Sequence, residues 1–226
     1  MIILHENLDS EAESIANSFK DVFNLDSRVI RRDLTNSFVP IDNFESGFLY
    51  SPIPLRESLK EFAEKKVFIL TPRDIYANKV SQEDDWIFGF CWENLTLGST
   101  ARMKRWDNKP SSSLIVPQEH YFKRLESLAI HEIGHDVVKA PHYKMATWVN
   151  RKTGYKLNLG PHCTDNTCVM YEVVDIKAPP KEEGFMLLGD EEKYDTGLDE
   201  VLARANSNWF CDLCKPSIVI DDSYRL

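Results

Sequence analysis

The first third of the chain switches between two spacings of apolar residues. Ile2-Ile3-Leu4 is a short apolar run that reads as a buried strand. Ser10 and Glu13 have the spacing of a capping box, ahead of a helix that carries Ile15, Phe19, Val22 and Phe23 on one face. Ser27 to Arg31 reads as a second strand, and a loop with Pro40 and Gly47 follows. Pro52 and Pro54 open a helix with Leu55, Leu59 and Phe62 on one side. Val67 to Leu70 is a third strand, stopped by Thr71-Pro72. This strand–helix order predicts a largely parallel sheet with right-handed crossovers.

The pattern then changes. Trp86 to Phe90 and the stretch Leu95 to Met103 read as strands joined by a short turn, which suits antiparallel pairing. Ser111 to Pro117 reads as a linker or short strand. The clearest helix runs from about Gln118 to Lys139. Beyond it the chain is loop-rich, with insert-like stretches at Val137–Gly160 and Lys177–Asn206; the second ends in a helical pattern of Leu198, Val201 and Leu202.

A chain of 226 residues, 42% hydrophobic, can bury one substantial core or one domain with a smaller lobe. No apolar run approaches the roughly 20 residues that span a bilayer. The apolar start gives way at once to His5 and Glu6, unlike a secretory signal. A net charge of −9 without a basic stretch argues against nucleic acid as a partner. Five cysteines, four of them late and tightly spaced, suit a reducing, cytoplasmic setting and metal binding better than a disulfide framework. In that setting the sequon Asn94-Leu95-Thr96 carries no meaning. Cys91 stands apart and reads as a buried small apolar residue. His5 and His120 read as structural or exposed, and Trp86, Trp92 and Trp106 as packing residues of the sheet.

His131-Glu132-Ile133-Gly134-His135 spells HExxH inside the long helix. Residues four apart lie one turn above each other, so two imidazoles can share an ion, with Glu132 placed to act as general base. Leu125, Leu128, Ile130, Ile133 and Val137 make this helix apolar. Two histidines and a glutamate within it are costly unless something compensates them. Zinc does so, and lowers the pKa of a bound water to about 7. A catalytic zinc needs a third protein ligand. His142 and His162 are the candidates, and spacing alone favours His142. Four thiolates in two close pairs, Cys163/Cys168 and Cys211/Cys214, signal a separate structural zinc.

The string His162-Cys163, four residues, Cys168-Val169-Met170, with a later Cys211-x-x-Cys214, resembles the archaemetzincin family. Weaker echoes lie at Leu70–Tyr76 and Phe88–Phe90. The resemblance implies His131, His135 and His162 as ligands of a catalytic zinc, with His142 in reserve. It implies Glu132 as the base and Cys163, Cys168, Cys211 and Cys214 around a second zinc. Met170 becomes the methionine of the turn beneath the catalytic ion. The family's glycine and short spacer are replaced here by an insertion between His135 and His162. Tyr171 falls one position short of the tyrosine that some metzincins place on the metal, so no such role is given to it. The implied fold is an α+β, metzincin-like zincin in a single domain. Residues 1–140 form an upper lobe with a twisted mixed sheet and the HExxH helix. Residues 141–226 form a smaller lower lobe. The implied activity is hydrolysis of peptide bonds in a peptide or protein substrate. The competing expectation is a zinc-binding protein with weak or no turnover that serves as an interaction protein.

Overall fold

The computed structural model describes residues 1–40, 47–49, 52–76, 86–105, 113, 115–149, 156–165, 167–171 and 209–226. Its contacts divide into two compact units. The first comprises Met1–Ala101, Val149–Tyr155 and Ile220–Leu226; the second comprises Arg102–Trp148 with Lys156–Val219. The HExxH helix falls in the second unit.

The first unit is built on a five-stranded mixed sheet in the order β2-β1-β5-β9-β8. Strands β1 (Ile2–His5), β2 (Arg28–Arg31), β5 (Val67–Thr71) and β9 (Leu95–Ser99) run parallel, and β8 (Gly89–Trp92) pairs antiparallel with β9. Every residue of β1, β5 and β9 is buried. Central strands of a parallel sheet are covered on both faces, hence the apolar runs Ile2–Leu4 and Val67–Leu70, while β9 buries Thr96, Gly98 and Ser99 beside its leucines. One face meets α1 (Asp9–Phe23), whose Phe19 packs edge-on against Phe68 with centroids 5.6 Å apart. The other carries Ile2, Leu4, Val67, Ile69, Leu95 and Leu97 into a core with Leu34, Phe38, Leu55 and Leu59. The C-terminal segment also belongs here: Lys66 N–H donates to Ser223 O, and Tyr224 is buried. At the ends of β1 and β5, buried Glu6 accepts from Arg73 and from Thr71 Oγ1, which satisfies a carboxylate that water does not reach.

Several local expectations are corrected. Helix α1 begins at Asp9 with Leu8 as its cap residue, so Ser10 lies inside the first turn and bonds Glu11 instead of capping. The Leu8 N–H is taken by His5 Nδ1. The second helix, α2 (Pro52–Ser58), is followed by a separate 3-10 turn at Lys60–Phe62. The run Trp86–Phe90 divides at Phe88: β7 (Trp86–Ile87) leaves for another sheet, while β8 stays in the main one. That second sheet has the order β3-β4-β6-β7, with β3 (Val39–Pro40), β4 (Gly47–Leu49) and β6 (Asp74–Tyr76). Strands of two or three residues are too short to show a period, so the sequence reads there as loop. The predicted strand Leu95–Met103 ends at Ser99. The helical pattern at Leu198–Leu202 and Trp106 lie outside the described residues.

The second unit centres on α3 (Gln118–Val137), buried along Leu125, Leu128, Ala129, Ile130 and Ile133. Its Arg124 is 1% exposed, and Nη1 donates to the carbonyls of Met103 and Arg105 at 2.7 and 3.0 Å. Past Val137 the chain becomes extended. Val138 bridges to Ile218, and Val219 N–H donates to Val137 O. The first insert contains a two-stranded sheet, β10 (Lys144–Val149) with β11 (Lys156–His162). Strand β11 ends on His162. No helix among the described residues is long and apolar enough to cross a membrane.

Candidate metal centres

Among the described residues, two clusters of side chains that could hold a metal ion form, both within the second unit. In the first, His131, His135 and His162 bring ring nitrogens within 4.8 Å of one another. Helical periodicity supplies the first two, and their Nε2 atoms lie 3.0 Å apart. Strand β11 supplies the third, its ring centroid 5.2 Å from that of His131 and 4.7 Å from that of His135. Tetrahedral zinc with Zn–N of 2.0–2.1 Å would set neighbouring nitrogens about 3.3 Å apart. The trio therefore has the dimensions of a three-histidine metal site.

Two of the rings are oriented by backbone. His131 Nδ1 donates to Val169 O at 2.6 Å, and His162 Nδ1 donates to Gly160 O at 3.1 Å. A carbonyl can only accept, so in both rings the proton is on Nδ1 and Nε2 keeps its lone pair for a metal. Burial, reinforced by His162, holds His135 down to about 3, so its ring stays neutral and does not compete for protons. Glu132, next to His131 and 7% exposed, is pushed up to about 8 by burial.

Met170 lies under this helix, fully buried. A Cβ built on Gly134 would fall 2.1 Å from its Sδ. At Gly134 the helix and the methionine turn approach closely, and a bare backbone is what admits the side chain. The turn is tied down by Cys163 N–H to Met170 O, Tyr171 N–H to Cys168 O and Val169 N–H to Trp209 O.

The second cluster gathers three of the four late cysteines and one residue that sequence reading set elsewhere. His142, Cys163, Cys211 and Cys214 bring donor atoms within 4.8 Å of one another. His142 Nε2 lies 3.1 Å from Cys163 Sγ and 3.5 Å from Cys214 Sγ, so the reserve ligand of the histidine trio sits with the thiols instead. Cys168 Sγ accepts the Cys211 N–H at 3.5 Å. Its thiol is drawn down to about 6, chiefly by a hydrogen bond from Cys214, whose own thiol is pushed up by the same contact. Burial raises Cys163 to about 12. One thiolate already sits among partners that a cation would ionise in turn, which is donor chemistry suited to zinc. Tyr143 OH, 3.6 Å from Cys214 Sγ, closes one side.

The remaining candidates stay outside both clusters. Cys91 is half-buried and accepts from Thr96 Oγ1; Trp92 lies under the Arg56 guanidinium; His5 is buried in the first unit. What sequence reasoning missed was β11. The alternation Lys156-Leu157-Asn158-Leu159 is a strand signal, hidden by the Gly160-Pro161 next to it.

The fold is shared with solved zinc-peptidase structures. A zinc-dependent peptidase from Methanocorpusculum labreanum superposes with a TM-score of 0.54 at 14% identity, over 96% of this chain and 98% of that one. The archaemetzincin of Archaeoglobus fulgidus, crystallised with malonate, gives 0.51 at 19% identity, over 96% and 100%. No protein-family model matches the sequence, and no curated protein does. The twisted mixed sheet with helices expected from the sequence is thus found as a mixed sheet with few helices, a fold similar to that of archaemetzincin structures.

Proposed function

We propose that this chain is a zinc-dependent metallopeptidase with two zinc ions, one catalytic and one structural. The observation that carries the reading is the convergence of three imidazoles, two of them locked with Nε2 unprotonated, beside a buried glutamate. His131, His135 and His162 hold the catalytic ion, and the thiol cluster holds the structural one. When bound, zinc supplies a Lewis acid and lowers the pKa of the water it holds to about 7.

Glu132 is the general base. Its carboxylate takes the proton of the attacking water and passes it to the departing amine nitrogen. The bare pocket favours its protonated form, and a dication close by reverses that preference. Val169 and Gly160 keep two rings from rotating, so the lone pairs stay aimed while charge develops. The substrate is a peptide or protein, in keeping with peptidase neighbours of the same fold. Nucleic acid is not a partner, given the acidic charge, and the reduced cysteines fit the cytoplasm. The whole chain, residues 1–226, acts as one metallopeptidase domain.

Metal analysis with peptide turnover tests this reading. Two zinc ions per chain and hydrolysis of a mixed peptide library are expected. Glu132→Gln should keep both ions and lose activity by at least about a hundredfold, the scale of general-base contributions. Turnover that survives this substitution would remove Glu132 from the mechanism, and a chain with two ions but no turnover would be an interaction protein.

A further inference from the structure

The ring of His162 is aimed by the carbonyl of a residue with an unusual backbone. Gly160 has φ +86°, in the half of backbone space that residues with a Cβ avoid. A Cβ built there would meet nothing within 4 Å. Room is therefore not the reason for a glycine here, in contrast to Gly134, where Met170 leaves none. The sign of φ is the reason. Glycine itself populates both signs about equally, so its identity permits this conformation without selecting it. At negative φ the carbonyl would swing away, and His162 would lose the acceptor that keeps its proton on Nδ1 and its lone pair on Nε2.

One side chain selects the sign. Asn158 Oδ1 accepts the Gly160 N–H at 2.9 Å. Asparagine side chains bond backbone two residues on and fold it locally. His162 Nδ1 in turn donates to Gly160 O at 3.1 Å. Gly160 is thus gripped at its N–H from upstream and at its C=O from downstream. Pro161 stands between Gly160 and His162, with φ locked near −65° and no N–H to compete for either acceptor. The freest backbone between Leu159 and His162 is that of Gly160, and Asn158 holds it.

We infer that Asn158 is a positioning residue of the histidine trio: it holds Gly160 at positive φ, and the Gly160 carbonyl then aims the His162 ring. This rests on the proposed catalytic ion at His131, His135 and His162. It gives the insert-like stretch Val137–Gly160, which contains Asn158, a part in the metal centre beyond spacing. His131 takes its acceptor from Val169 instead, so a change at Asn158 reaches one ring of the trio and spares the other. Asn158 is exposed, so replacing it empties no core.

The test uses the full chain loaded with cobalt. Ring N–H protons of cobalt-bound histidines are shifted out of the crowded proton spectrum, and their exchange with water reads each ring's hydrogen bond separately. In Asn158→Ala the His162 Nδ1 proton should exchange faster, and the histidine-bound ion should be lost to a chelator more readily, each by about two- to tenfold, the fold-change of one neutral hydrogen bond. The His131 Nδ1 proton and the thiolate–cobalt absorption band should not change. Asn158→Asp still offers an acceptor oxygen and should restore both quantities to within about twofold of wild type. Gly160→Ala, forced against its preferred φ, should weaken the histidine-bound ion at least about fivefold. Adding Asn158→Ala to it should cost nothing more, because Asn158 acts through that torsion. Wild-type exchange and affinity in Asn158→Ala, or losses that add in the double variant, overturn the inference while leaving the trio a metal site. A wild-type chain that takes up cobalt on its thiols alone overturns the catalytic-zinc reading beneath it.

Discussion

The buried Glu132 makes a quantitative prediction about stability in the absence of the catalytic ion. Its carboxyl ionises near 4.5 in an unfolded chain and at about 8 in the folded pocket, raised by burial. Below pH 4.5 both states hold the proton and the group is neutral in its effect. Between 4.5 and 8 the unfolded chain releases the proton while the folded one keeps it. Stability therefore falls as pH rises through this window. At about 1.36 kcal/mol per pH unit the full loss has a ceiling of about 5 kcal/mol. Relaxation and water entry reduce this, so about 2–4 kcal/mol is expected. Glu132→Gln has the same shape and no proton to lose. The assay compares thermal unfolding of wild type and Glu132→Gln, each stripped of the histidine-bound ion by a mild chelator, at pH 5 and pH 8.5. Other titrating groups, His135 included, are common to both proteins and cancel in the difference. At pH 5, half a unit above the unfolded value, the variant should melt higher by only about 2–3 °C. At pH 8.5 the variant should melt higher by about 5–10 °C, from the usual 2–4 °C per kcal/mol at this size. A gap that does not change with pH, or one that favours wild type at pH 8.5, would refute the argument that burial governs this carboxyl.

Two further substitutions probe the loop beneath the helix. Gly134→Ala puts a methyl group 2.1 Å from Met170 Sδ, and Met170 is fully buried with little room to retreat. Overpacking of this kind costs about 1–3 kcal/mol, more than the roughly 1 kcal/mol gained by alanine in a helix, so the melting temperature should fall. In a Met170→Ala background the same change should stabilise, and thermal melts of the four proteins decide the matter: a stabilising Gly134→Ala in wild type would show that the methionine gives way freely. Cys163→Ser should speed chelator-driven loss of the histidine-bound zinc several-fold as well as that of the sulfur-bound ion, because it loosens the anchor beside His162. Equal release of the histidine-bound ion from variant and wild type would show the two centres to be independent.

The helix with His131, Glu132 and His135 could be read from sequence because i, i+4 spacing and an apolar surround are local properties. So could β1, β5 and α1, whose runs are long enough to show a period. The second sheet was not legible, since β3, β4, β6 and β7 are each two or three residues and gain their stability from pairing partners distant in sequence. The Ser10/Glu13 pattern misled because the helix already begins at Asp9, with Leu8 as a cap that has no side-chain bond, and Ser10 is engaged by Glu11 inside the first turn. Spacing alone pointed to His142 as third ligand, being the nearer histidine in sequence. Distance in space is different: the chain leaves α3 extended along Ile218, which carries His142 towards the cysteines, and only the return strand β11 brings a histidine back to the trio.

That return explains why one short loop can serve both centres. Residues 162–171 contribute His162 to the first cluster and Cys163 to the second. The carbonyl of Val169 fixes the His131 ring, and the side chain of Met170 lies against Gly134. The loop is closed on itself by Cys163 N–H to Met170 O at 2.8 Å. A displacement at Cys163 therefore reaches the histidine trio by three routes: through the peptide to His162, through Met170 to the underside of α3, and through Val169 to His131. Each is a direct contact between buried groups, and close-packed interiors transmit such shifts instead of absorbing them. A thiol cluster held fast at Cys163 would in this way constrain where His162 and the His131 ring stand.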